Sequence, residues 1–154
     1  IIAKPIPKGK ISYPGRLDCP HAFTFLPDVA TTMVALAEKR HSLALFEDVP
    51  VPSFTLTGEE LAQAISTVVG RTIVAKPMAW WPISIAKIAW PMGRGLLEMR
   101  YLWNKPHHID ATRHAALCGN VAMTPLHDAL AQALNLDVHP NEAVRSSGQA
   151  VTAQ

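Results

Sequence analysis

The chain has 154 residues, of which 49% are hydrophobic and 17% are charged, so we expect one packed domain rather than a disordered chain. The formal net charge of +2 comes from scattered Lys and Arg residues and indicates neither a nucleic-acid partner nor an anionic membrane surface. The two cysteines, Cys19 and Cys118, have no metal-binding spacing and are far apart, which favours a reducing compartment. We therefore expect the protein to be located in the cytoplasm.

The N-terminal third predicts two short strands and a helix. The first residues, IIAKPIPKGK, have neither an initiator methionine nor a signal-peptide layout, so we expect them to lie within a longer polypeptide. A strand is predicted at 11–13 and another in HAFTFL, 21–26. Pro27 and Asp28 then open a helix over about 29–39. Its inward face is predicted to carry Val29, Met33, Leu36 and Ala37.

The segment 54–76, FTLTGEELAQAISTVVGRTIVAK, has the clearest pattern in the chain. Thr57 and Glu60 form a capping box that begins a helix, and Gly70 ends it. The predicted apolar stripe of this helix is Leu61, Ile65, Val68 and Val69. The short β-branched runs on either side, near 51–56 and 72–76, are predicted to be parallel neighbours in one sheet. This predicts a βαβ unit in an α/β fold.

The apolar segment 77–103 is broken by prolines and glycines, so two short helices bent near Pro91 are predicted, the second from about 96 to 103. A membrane span is excluded because the uninterrupted run is shorter than about 20 residues and carries Lys87 and Arg94. Tryptophans lie beside the bend, where they can wall a pocket for an organic ligand or pack in the core, the commoner role. They are Trp80, Trp81 and Trp90.

The C-terminal part predicts a strand and two helices. The strand is predicted at 106–109, and Asp110 is expected to cap a helix over 111–118 that ends at Gly119. Thr124 and Pro125 then begin the last helix. Beyond 136 the composition has no hydrophobic period, so residues 137–154 are predicted to be a mobile tail.

No catalytic or cofactor-binding residue is indicated by motif. No glycine-rich phosphate loop follows a strand, and Tyr101, although Lys105 follows it four residues later, lacks the sequence context of a Tyr/Lys acid–base couple. A Ser/His/Asp site on Ser66 or Ser84 lacks a nucleophile turn. The histidines of the C-terminal half have no recognised ligand spacing, so no metal site is expected. They are His107, His108, His114 and His127.

Four segments together resemble the C-terminal half of the NAD-dependent epimerase/dehydratase family, the extended short-chain dehydrogenase/reductases. They are HAFTFLPDVATTMVALAE, LTGEELAQAISTVVGRTI, HIDATRHAALCG and MTPLHDALAQAL, within about residues 9–134. The resemblance implies that 1–136 form a small α/β lobe, with a short parallel sheet and five or six helices, that closes over a small-molecule substrate. It also implies that NAD or NADP and a catalytic Tyr/Lys pair belong to an N-terminal Rossmann half upstream of Ile1, and a homodimer is one possible assembly.

Two departures from this family pattern bear on the substrate. His21 stands where nucleotide-sugar enzymes of the family carry an arginine, and no Arg-Gly-Asp triplet occurs around 105–110. Because guanidinium groups suit diphosphates and imidazole does not replace them, a smaller or less charged substrate is expected. The candidate substrate-binding residues are His21, Phe23, Trp80 and Trp81.

Two other functions stay open from the sequence. One is a non-catalytic redox-sensing or protein-interaction module of the same fold, which would bind a protein partner through the exposed apolar helix pair. The other is a peripheral membrane protein held by the three tryptophans near the bend, for which Lys87 alone supplies too little basic charge.

Overall fold

The structure is a computed structural model that describes residues 6–86, 91–119 and 121–135. The predicted mobile tail at 137–154, together with Lys87 and Trp90, lies outside these ranges. Within them the chain forms an α/β fold with six α-helices and four short strands, which confirms the predicted fold class. The elements are β1 (Lys10–Tyr13), β2 (His21–Phe23), α1 (Leu26–Glu38), β3 (Phe54–Leu56), α2 (Gly58–Val69), β4 (Val74–Pro77), α3 (Trp81–Ala86), α4 (Pro91–Met99), α5 (Thr112–Cys118) and α6 (Leu126–Ala133), with 3₁₀ helices at Ile6–Lys8, Arg40–Ser42 and Arg100–Asn104.

The four strands form two separate pairs. β1 and β4 are parallel, with Tyr13 opposite Pro77, whereas β2 and β3 are antiparallel, with Phe23 opposite Phe54. The predicted pairing of the strands near 51–56 and 72–76 is therefore wrong. An aromatic cross-strand pair holds β3 to β2, while the fully buried side chain of Ile11 places β1 beside β4. Both preferences depend on contacts between residues distant in sequence.

Helix α2 is built as its sequence predicts. The hydroxyl of Thr57 accepts a hydrogen bond from the Glu60 N–H at 3.1 Å, and the Glu60 carboxylate accepts one from the Thr57 N–H at 2.8 Å. Gly70, with φ of 71°, ends the helix. Leu61 and Ile65 are buried. They belong to the main core, which also contains Ile6, Ile11, Tyr13, Ala62 and Ile73.

Helix α1 buries polar side chains. It begins at Leu26, and the Asp28 carboxylate accepts hydrogen bonds from the Thr124 hydroxyl at 2.7 Å and the Thr124 N–H at 3.1 Å. The Thr32 hydroxyl is hydrogen-bonded to Nε2 of His114 at 3.0 Å. Met33 is 65% exposed. The predicted inward position of Met33 is therefore wrong, because polar contacts with the C-terminal segments orient this helix.

The C-terminal half contains the two short helices predicted around the bend, α3 and α4, although α4 begins at Pro91 and not near 96. The strand predicted at 106–109 is wrong: the segment is irregular, and the His107 N–H donates to the Pro20 carbonyl at 3.2 Å. The predicted N-cap role of Asp110 is wrong by one residue: α5 begins at Thr112 with Ala111 at the N-cap position, and the Asp110 carboxylate accepts a hydrogen bond from the Thr112 N–H at 2.9 Å. No helix within the described ranges has the length and apolar character needed to cross a bilayer.

Candidate functional site

A cleft of about 260 Å³ lies at the carboxyl ends of the parallel strands β1 and β4. Ligands of α/β proteins bind at this end of parallel strands, where the loops that follow the strands converge. We call it the strand-end cleft. It is lined by Pro14, Gly15, Arg16 and Leu17 after β1, by Pro77, Met78 and Trp80 at the end of β4, and by Arg100 and Asn104 of the 3₁₀ helix Arg100–Asn104.

Two hydrogen bonds join the segments that follow the two strands. The Met78 N–H donates to the Tyr13 carbonyl at 2.7 Å, which continues the strand pairing. Beyond it, the indole N–H of Trp80 donates to the Pro14 carbonyl at 2.9 Å. The half-buried Trp80 side chain is therefore held against the cleft wall by a polar contact at one end of its ring system.

Arginine side chains supply the charge of the strand-end cleft. Arg16 forms an ion pair with Asp18, with Nε–Oδ1 and Nη2–Oδ2 distances of 3.0 and 2.5 Å, and this hydrogen bonding lowers the pKa of Asp18. The guanidinium carbon of Arg100 lies 5.4 Å from the centre of the Trp80 ring, a cation–π contact. In the part of the chain that the structure describes, no carboxylate is within ion-pair distance of Arg100.

Behind the strand-end cleft, four rings form an aromatic cluster, consisting of Tyr13, His21, Trp103 and His107. The Tyr13 hydroxyl is hydrogen-bonded to Nδ1 of His21 at 2.6 Å. The ring of Trp103 packs edge-on against Tyr13, with centroids 6.0 Å apart. Since Trp103 belongs to the 3₁₀ helix that carries Arg100, the cluster supports this wall of the cleft.

Burial keeps two members of the aromatic cluster, Tyr13 and His21, uncharged. Burial raises the pKa of Tyr13 to about 12, with a smaller contribution from Cys19. Burial and the neighbouring His107 lower the pKa of His21, although the main-chain carbonyl of Leu102 acts in the opposite direction. Nε2 of His21 is buried and has no hydrogen-bond partner among the described residues. At neutral pH we therefore expect a neutral imidazole beside a neutral phenol.

The candidate substrate-binding residues occupy different places. Trp80 lines the strand-end cleft. His21 is 1% exposed and lies beneath it, in the aromatic cluster. Phe23 is half-buried against the core, and Trp81, at the start of α3, is 69% exposed. Sequence reasoning missed Arg100, which reaches the cleft only through folding of the segment after α4.

A second, shallower hollow of about 330 Å³ lies between α2 and β4. One of its polar groups, the Ser66 hydroxyl, donates to the Ala62 carbonyl at 2.7 Å and accepts from the Ile73 N–H at 2.9 Å. These contacts tie the hydroxyl to the main chain on both sides of the hollow. Although the hollow is larger, the strand-end cleft is the better candidate site.

The histidines considered for zinc lie in separate surroundings. Nε2 of His107 accepts a hydrogen bond from the Ala22 N–H at 3.4 Å, His114 contacts Thr32, and His127 is paired with Asp128 at 3.2 Å. Among the described residues, no group of three His, Cys, Asp or Glu side chains is arranged to hold a metal ion.

No protein-family model matches the chain, and no curated protein matches it. Among solved structures it is similar to triphenylmethane reductase of Citrobacter sp., an enzyme studied for the bioremediation of triphenylmethane dyes. The TM-score is 0.59 at 16% sequence identity, and the match covers 84% of this chain and 46% of the reductase. The two proteins share a fold over this region, and the chain spans less than half the length of that reductase.

Proposed function

We propose that this chain is the substrate-binding part of an NAD(P)-dependent oxidoreductase, epimerase or dehydratase whose nucleotide-binding and catalytic half lies in the rest of the full-length protein. The observation that carries the proposal is the strand-end cleft, because it lies where α/β enzymes bind their ligands. The likeness to less than half of a reductase supports it, as does the family resemblance of the four sequence segments. Because β3 and β4 do not pair with each other, the predicted βαβ unit gives the proposal no support.

Within this proposal, Trp80 provides an apolar face for the organic part of the substrate, and Trp81 stands beside the cleft at the start of α3. His21 is a positioning residue that supports the wall through Trp103, and Phe23 packs beneath it in the core. NAD or NADP is bound by the other half, and no residue of this chain is assigned to it.

The proposed setting is the cytoplasm, with the upstream Rossmann half as the first partner. Cys19 and Cys118 are both free and buried, as suits a reducing compartment. The proposal allows a homodimer. It names neither nucleic acid nor a membrane as a partner.

The test uses the full-length protein. NADH and NADPH are titrated by calorimetry, and NAD(P)H oxidation is then followed with a panel of aromatic and carbonyl substrates that includes triphenylmethane dyes. We expect cofactor binding, and turnover of at least one substrate whose kcat/KM falls about tenfold or more in W80A, the cost of losing a buried aromatic contact. The cofactor Kd should not change. A protein that binds neither cofactor would refute the proposal.

The alternative is a non-catalytic redox-sensing or protein-interaction module of the same fold. Exposed apolar side chains on α3 and α4 favour it, since a surface of this kind is suited to a protein partner. They are Trp81, Ile85, Met92 and Met99. The alternative predicts cofactor binding without turnover of any substrate and loss of the upstream Tyr/Lys pair. A protein complex that I85D and M92D disrupt, with cofactor affinity unchanged, would support it.

A further inference from the structure

The lining of the strand-end cleft combines apolar surface with positive charge. Two of its nine residues, Arg16 and Arg100, are cationic, and none is acidic. Most of the others are apolar, namely Pro14, Leu17, Pro77, Met78 and Trp80. A cavity lined by charge of one sign attracts ligands of the other sign, and its apolar walls strengthen the field inside.

The two arginines are not equivalent. Arg16 is neutralised by Asp18, which accepts two hydrogen bonds from its guanidinium group. Arg100 contacts the Trp80 ring, and its guanidinium makes no hydrogen bond to any residue in the described ranges. Its N–H donors therefore remain available to a ligand, and they suit a planar carboxylate particularly well.

The size and rigidity of the cleft limit what such a ligand is. A volume of about 260 Å³ is slightly below the range typical of small-molecule sites, about 300–1,000 Å³. It suits one ring or two fused rings. The bond from Trp80 to the Pro14 carbonyl holds the indole in place before a ligand arrives, which favours stacking of a flat ring.

We propose that the strand-end cleft selects a small aromatic anion, such as an aryl carboxylate, whose ring packs on Trp80 and whose charge is met by Arg100. This inference rests on the proposed function, because it assigns a substrate class to the same cleft. Arg100 is thereby a specificity-determining residue, and Arg16, already paired with Asp18, contributes less to the selection.

The test compares three probes with the same rings and different charge on the full-length protein at neutral pH and low salt. They are naphthoate, naphthalenemethanol and naphthylmethylammonium, titrated by calorimetry. We expect naphthoate to bind about tenfold more tightly than the alcohol, as for one charge-assisted hydrogen-bonded contact, and the ammonium compound to bind most weakly. Added salt should narrow the difference, because the cleft is open to solvent.

Arg100 is then changed to Gln, with R94Q as the matched control, since Arg94 is an exposed arginine of α4 outside the cleft lining. R100Q should reduce naphthoate affinity to that of the alcohol and leave the alcohol unaffected, whereas R94Q should bind all three probes like wild type. R100K retains the positive charge without the planar guanidinium group, so its affinity for naphthoate should lie between those of the wild type and R100Q. R100K replaces R100Q in the test if R100Q does not fold. Thermal unfolding of each variant reports on folding.

The outcomes separate this inference from the proposed function. If the wild-type protein binds the three probes equally and W80A weakens the binding of all three, the proposed ligand class is overturned, but the cleft remains the candidate substrate site. Equal losses in R94Q and R100Q would also overturn it. If W80A changes no probe affinity, the probes do not bind in the cleft and the inference is overturned, whereas the proposed function is judged separately, by cofactor binding and by the effect of W80A on turnover.

Discussion

The hydroxyl of Tyr13 and Nδ1 of His21 are 2.6 Å apart, and neither side chain is more than 1% exposed. This hydrogen bond joins β1 of the parallel pair to β2 of the antiparallel pair. Trp103 packs against both rings, so the same contact connects the core to the wall of the strand-end cleft. This buried polar pair thus connects the two sheets.

Tyr13→Phe should destabilise the protein by about 1–3 kcal/mol, because it leaves Nδ1 of His21 buried without a partner. The free energy of unfolding is measured by urea denaturation monitored by circular dichroism. Tyr101→Phe is the control, since Tyr101 is 63% exposed and its hydroxyl has no partner among the described residues. Equal stability of the two variants would show that the Tyr13–His21 bond contributes nothing net.

His21 should also make stability depend on pH. Because burial and His107 lower the pKa of His21 in the folded state, the unfolded chain binds more protons below the ordinary value of 6.5. Stability from this group is therefore present above that pH and declines as the pH falls below it. Urea midpoints measured across this range should show a slope that H21Q reduces. The exposed His41 is the control: H41Q should retain the slope.

The parts of the fold that were predictable are those specified by neighbouring residues. Both ends of α2 follow from three local residues, Thr57, Glu60 and Gly70, whose roles depend only on the helix they begin or end. The partners of the strands were not predictable in this way. β4 and β3 each pair with a strand more than thirty positions earlier in the chain, and short strands carry little information about such partners.

Thr57→Ala tests whether the local specification of α2 is energetically important. Removing the hydroxyl leaves the Glu60 N–H without its acceptor and should cost about 1 kcal/mol of stability. Thr67→Ala, in the last turn of the same helix, should be neutral or slightly stabilising, because Ala has the higher helix propensity. Chemical denaturation measures both. The capping box would have no net effect if the two variants were equally stable.

For the candidate site, the sequence indicated Trp80 and missed Arg100. Tryptophans beside a proline-broken helix are visible in the sequence, so an aromatic wall was predictable. The position of Arg100 depends on packing of the 3₁₀ helix Arg100–Asn104 onto the loop after β1, between residues about 85 positions apart. His21 was expected in the pocket and is buried behind it, because alternation along a strand does not tell which face meets solvent and which meets another segment.

Gly15 and Gly95 provide a pair of identical substitutions with opposite expected effects. A methyl group on Gly15 would overlap the carbonyl of Trp103 and lie 2.8 Å from the Trp103 Cβ, so the loop or the 3₁₀ helix must move. G15A should therefore destabilise the protein by about 1–3 kcal/mol and weaken ligand binding in the cleft. Nothing lies within 4 Å of a methyl group on Gly95 in α4, so G95A should stabilise by about 0.5–1 kcal/mol. A urea midpoint of G15A equal to or above that of the wild type would contradict the close packing of the 3₁₀ helix on the loop after β1.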